Sequence, residues 1–141
     1  MADQATTGLS GLLRAARSAE SRVESRLTTV GLSLPKLAAL HHLIMAGDSL
    51  PLGQLAERLL CVKSNVTQFV DRLEADGLVS RAPDPNDRRS CLAVITGAGR
   101  RAYARGMKIQ EDAERELFGV LTPDEVAELA RIIGKLDWCR R

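Results

Sequence analysis

The segment "VKSNVTQFVDRLEADGLVSR" constrains the fold more than any other part of the chain. Val66, Phe69, Val70 and Leu73 fall at i, i+3, i+4 and i+7, the spacing of a helix with one buried stripe. Gly77 has the place of a helix C-cap, and Leu78 and Val79 turn the chain back to the core. Around the stripe stand Lys63, Ser64, Asn65, Thr67, Gln68 and Arg72. An ordinary solvated face is a mixture of Glu and Lys. This set instead offers donors and acceptors of varied geometry. Asn and Gln pair bidentately with adenine, Lys meets guanine or phosphate, and Thr meets base edges or a thymine methyl. A short helical segment, "LGQLAERLL", precedes it through the turn "LLCVKS". Two short helices joined this tightly predict a helix-turn-helix whose second helix reads DNA.

The chain then reads strand, turn, strand. "LVSRA" is a candidate strand, "PDPND" a turn built on Pro and Asp/Asn chemistry, and "CLAVIT" a return strand. A helix-turn-helix followed by a β-hairpin is a winged helix. Arg88 and Arg89 fall at the wing tip, where a guanidinium reaches a phosphate or a narrow minor groove. Asp87, two residues before Arg89, is expected to hold that guanidinium in one orientation. Arg81 sits at the base of the wing, beside the cleft toward the terminal helices. It is read as a structural ion-pair residue, with an anionic ligand or phosphate as the alternative.

The remainder predicts a mainly α chain. Leu9, Leu12, Leu13, Ala16, Ala19, Val23, Leu27 and Val30 recur at three- and four-residue steps up to Gly31. Ser33 is placed to cap "LPKLAALHHLIMA", which Gly47-Asp48 stops. After Thr96, Ala102, Gly106, Ile109, Ala113, Leu117 and Val120 keep a helical step, with small residues that allow close helix approach. Thr122, Pro123 and Glu125 form a capping-box start for a last helix striped by Val126, Leu129, Ile132, Ile133 and Leu136. The first helix and the last two carry more apolar surface than a small winged helix needs.

The stretch "LAERLLCVKSNVTQFVDRLEADGLVSRAPDPNDRRSCLAVITGAGR" resembles the MarR family of bacterial winged-helix regulators. That family carries an Asp-x-Arg wing signature, here Asp87-Arg88-Arg89, and an "LT-x-x-G" helix start, here Ile95-Thr96-Gly97-Ala98-Gly99. The long first helix and two C-terminal helices extend the likeness over nearly the whole chain. Val62 departs from the pattern, standing where the family often has a hydroxyl residue capping the recognition helix. A cap is worth about 1 kcal/mol, so the departure bears on one phosphate or backbone contact and not on the fold. The resemblance implies one domain over residues 1–141, with 33–96 as the DNA-binding lobe and 1–32 and 97–141 as intertwined dimerisation helices. Leu12, Ile109, Leu117, Leu129, Ile132 and Ile133 are the expected seam. A two-fold dimer implies a pseudopalindromic operator. The family resemblance also implies an effector, a small aromatic, often anionic, molecule in the cleft between lobes. Arg81 and His41 are candidates to meet it.

Composition narrows the alternatives. A formal net charge of +2 is too small to argue for nucleic acid, so that argument rests on where the charges sit. Aromatics are 3% of the chain, too few for the stacking platforms of single-strand or RNA binders. No phosphate-binding Gly loop, nucleophile motif or metal-ligand spacing is present, so neither an enzyme nor a cofactor or metal site is expected. No apolar run has the length of a membrane span, and the first residues lack a signal-peptide pattern; a cytoplasmic protein is expected. Cys61, Cys91 and Cys139 form neither a disulfide framework nor a zinc pattern. Redox sensing is a lesser reading, because peroxide-sensing relatives resemble one another in a first-helix cysteine that this chain lacks. The adjacent His41 and His42 cannot share one helix face; one is expected in the core or at the seam. A winged-helix module that binds protein alone would not need Lys63, Asn65 and Gln68.

Overall fold

Capping chemistry sets several of the helix ends in the computed structural model, which describes residues 8–59 and 63–137, with backbone alone at 63 and 64. Six helices and three strands follow in the order α1 (Leu9–Thr28), α2 (Leu34–Met45), β1 (Ser49–Pro51), α3 (Leu52–Arg58), α4 (Lys63–Ala75), β2 (Val79–Pro83), β3 (Cys91–Ile95), α5 (Gly97–Phe118) and α6 (Pro123–Leu136). Ser33, Thr96 and Thr122 each accept a hydrogen bond from the backbone N–H three residues on, satisfying an orphan donor at the starts of α2, α5 and α6. Helix α4 ends in a Schellman motif. The Leu78 N–H donates to the Leu73 carbonyl at 2.9 Å and the Gly77 N–H to the Glu74 carbonyl at 2.9 Å, with Gly77 at φ 75°. A side chain at that φ is disfavoured, so the glycine fixes where the helix stops and the wing begins.

The core joins helices and sheet. Leu27 of α1, Leu40 and Leu43 of α2, Leu55 of α3, and Val70 and Leu73 of α4 are fully enclosed, with Val79 of β2 beside them. The sheet has three strands in the order β1-β3-β2, all antiparallel. Val79 pairs with Ile95 and Pro83 with Cys91, which is the expected wing hairpin. The third strand, β1, is not expected from the sequence. Ser49, Leu50 and Pro51 pair with Val94, Ala93 and Leu92. Three residues are too short to show a period of two, and Pro51 argues against a strand. At the end of an edge strand, however, its missing N–H costs little. Asp48, at φ 87°, turns its carbonyl to accept from the Ile95 N–H at 2.9 Å and so starts the strand.

Helix α5 packs against α1 and α2, with its first turn close to the start of the wing. A Cβ at Gly99 would lie 2.1 Å from the Leu78 carbonyl oxygen, so no side chain fits where the helix starts. A Cβ at Gly106 would lie 2.6 Å from Leu37 Cδ1 and 2.9 Å from Leu32 Cδ1. Ala102, Gly106 and Ala113 are buried within the chain itself. The small residues therefore do permit close approach, but here against the chain's own core. Ile109 also packs on that core, half-buried. The expected apolar stripe of α6 looks outward instead: no residue of α6 is buried, and Ile132, Ile133 and Leu136 are 41%, 51% and 43% exposed. Leu9, Leu12 and Leu13 on the first half of α1 are exposed as well, while Leu117 and Leu129 are half-buried.

Candidate nucleic-acid interface

Helix α4 buries Val66, Val70 and Leu73. Phe69 is half-buried at the edge of the stripe rather than enclosed. With that face anchored, Asn65, Thr67, Gln68 and Arg72 are exposed on the remaining surface. The side chains of Lys63 and Ser64 lie outside the described residues, as do Cys61, Val62 and Cys139. Cys91 is free and half-buried at the start of β3.

The wing tip is held by two successive Asx-turns. Asp84 Oδ1 accepts from the Asn86 N–H at 2.9 Å, and Asp87 Oδ1 accepts from the Arg89 N–H at 2.9 Å. This corrects the expected role of Asp87. Its carboxylate holds the backbone of Arg89 and not the guanidinium, because a side chain two residues back in a turn reaches the N–H more readily. The effect is to stiffen the loop while leaving both arginines presented. Arg88 and Arg89 are exposed, and neither forms an ion pair among the described residues.

Arg81 is committed elsewhere. Its guanidinium meets Asp71 Oδ1 at 2.6 Å and Glu74 Oε1 at 3.1 Å and donates to the Thr67 carbonyl at 3.2 Å. Its backbone N–H donates to Glu74 Oε2 at 3.1 Å. The structural reading of Arg81 thus describes its surroundings better than a ligand role. His41 is exposed on α2, with Nδ1 2.9 Å from the Tyr103 hydroxyl of α5. His41 lines a cavity with Leu34, Leu37 and Met107, on a different part of the chain from the Arg81 ion pairs.

A cavity of about 610 Å³ lies on the other flank of α4. It is lined by Glu20, His42, Arg58, Asn65, Gln68, Phe69 and Arg72, among others. Burial, with the neighbouring charges of His41 and Arg58, pushes the His42 imidazole below its ordinary pKa. The cavity thus combines two guanidiniums, an imidazole, two amides, a carboxylate and an aromatic face. No motif in the sequence announces this cavity. Leu34, Ala38 and His42 do recur at four-residue steps on α2, but that spacing is the same for a core stripe.

A helix with a polar outward face, preceded by a short helix and followed by a hairpin that presents two arginines, is the arrangement of a winged-helix protein of the DNA-binding type. The MarR family profile matches residues 30–90. MhqR, a transcriptional regulator of Bacillus subtilis, is 30% identical over 126 residues, covering 89% of this chain and 76% of MhqR. YkoM, an uncharacterized transcriptional regulator of the same organism, is 36% identical over 84 residues, covering 60% of this chain; the match spans 54% of YkoM, about half its length. The C80S variant of MarR from Escherichia coli, in complex with operator DNA, superposes with a TM-score of 0.80 at 24% identity, covering 89% of this chain and 90% of that one; this establishes the likeness of fold. The chain belongs to the MarR family of winged-helix transcriptional regulators and is a regulator rather than an enzyme. Among the described residues no helix is long and apolar enough to cross a membrane, and no group of three or more His, Cys, Asp or Glu is arranged to hold a metal ion.

Proposed function

We propose that this protein is a repressor that binds a pseudopalindromic operator as a homodimer. Residues 33–96 meet the DNA, and 1–32 and 97–141 hold the two protomers together. One observation carries the reading: the buried stripe of α4 turns Asn65, Thr67, Gln68 and Arg72 outward, while the adjoining hairpin presents Arg88 and Arg89. Lys63 and Ser64 belong to the same recognition surface by their place in the helix. In this reading α4 enters the major groove, Arg72 reaches the backbone, and the wing arginines reach phosphate or the minor groove. The exposed leucines of α1 and isoleucines of α6 support a homodimer, since an apolar face left to water invites a second copy.

The cavity beside α4 is the proposed effector site. Arg58 and Arg72 suit a carboxylate or phenolate, and Phe69 suits an aromatic ring. A ligand changes DNA binding only by distinguishing the competent from the incompetent state. Sharing Asn65, Gln68 and Arg72 between cavity and groove supplies that difference, because a side chain turned to one is withdrawn from the other.

The test is selection of duplexes by the purified protein from a random pool. The expected product is one sequence repeated with two-fold symmetry, its half-sites about 10 base pairs apart centre to centre or a multiple of that. Simple phenolic acids then weaken binding to that duplex. Recovery of unselected DNA would reject sequence-specific binding.

A further inference from the structure

Asp71 and Glu74 are exposed carboxylates on the helix that is proposed to approach a polyanion. By charge alone they oppose DNA binding. Both are engaged by Arg81, which stands in the first strand of the wing. The same guanidinium reaches the Thr67 carbonyl at 3.2 Å, so one side chain spans positions 67, 71 and 74, about two turns along one flank of α4. The Arg81 N–H adds a backbone tie to Glu74 at 3.1 Å. Arg81 has a quarter of its side-chain surface exposed, and a planar guanidinium with several donors holds an orientation that a single ammonium cannot.

We infer that Arg81 is a positioning residue for DNA reading: it locks α4 to the wing, so that the two contact surfaces meet the duplex in one fixed relation. The inference rests on the proposal that both α4 and the wing touch DNA. Fixing the pair in advance removes an ordering cost from binding, since the wing need not find its own place once the helix has docked. Asp71 and Glu74 are then retained on a DNA-facing helix as the anchors of that lock.

The measurement is operator affinity for the wild type, Arg81→Gln, Arg89→Ala and the double variant, with unfolding curves for each. Arg89→Ala is expected to weaken binding about tenfold in the wild-type background. In the Arg81→Gln background the same change is expected to cost only about twofold, because an unanchored wing contributes little. A merely structural role would lower the folded fraction and leave the Arg89 factor equal in both backgrounds, and equality would overturn the inference. The paired variant Asp71→Asn with Glu74→Gln provides a second reading should Arg81→Gln fold poorly. Positioning predicts weaker operator binding and a reduced Arg89 factor despite the loss of two negative charges. Tighter binding, as charge alone predicts, would overturn the inference. If Arg89→Ala has no effect even in the wild type, the wing contact itself is wrong and the inference falls with it.

Discussion

Ile133→Glu is expected to leave the protein monomeric at micromolar concentration and to weaken operator binding at least about a hundredfold. Ile133 is 51% exposed on a helix that buries none of its own side chains, so a carboxylate there costs the isolated chain little. In the proposed dimer the same carboxylate would be desolvated without a partner, which a marginal apolar seam does not tolerate. Losing the dimer also loses the second recognition helix. Engagement of two half-sites by linked units exceeds either alone by about 10²–10⁴, and that factor is what the variant gives up. Ile132→Glu is the companion, 41% exposed one position along the same helix. Sedimentation of both variants beside the wild type, with circular dichroism to show retained helix, is the check. A variant that stays dimeric would move the seam away from α6 and leave its apolar stripe unexplained.

How much of this was legible in the sequence depends on the range of the interaction concerned. The stripe of Val66, Val70 and Leu73, the caps at Ser33 and Thr122, and the stop at Gly77 are set by neighbours within a few residues, and each falls where the spacing places it. The wing was legible for the same reason, since turn residues and a β-branched run lie side by side. Long-range features were not. β1 exists because β3 has a second edge to satisfy, a fact carried by residues 91–95 and invisible in "SLP". Gly106 announces a close helix approach without saying to what, and the partners are Leu32 and Leu37 of the same chain. Phe69 matches the buried stripe by spacing, yet a cavity assembled from four helices keeps it half-open. Asp87 showed that residue type and proximity do not decide whether a carboxylate takes a neighbour's backbone or its side chain.

The central claim is that α4 reads bases, and Gln68→Ala and Asn65→Ala test it most directly. Both residues are exposed on the outer face of α4, and each side-chain amide is able to donate and accept at one adenine edge. Removing such a bidentate contact costs about 1–3 kcal/mol of discrimination at the base it reads. The loss is therefore confined to one base pair in each half-site. The measurement is the affinity of the wild type and the two variants for the selected duplex and for every single-base change within a half-site. The account predicts that each variant binds the selected duplex about 5- to 150-fold more weakly and becomes indifferent to the base at one position, while keeping the wild-type preference at the others. Uniform weakening across the whole panel would contradict it, since Asn65 and Gln68 would then hold the helix on the duplex without reading its sequence.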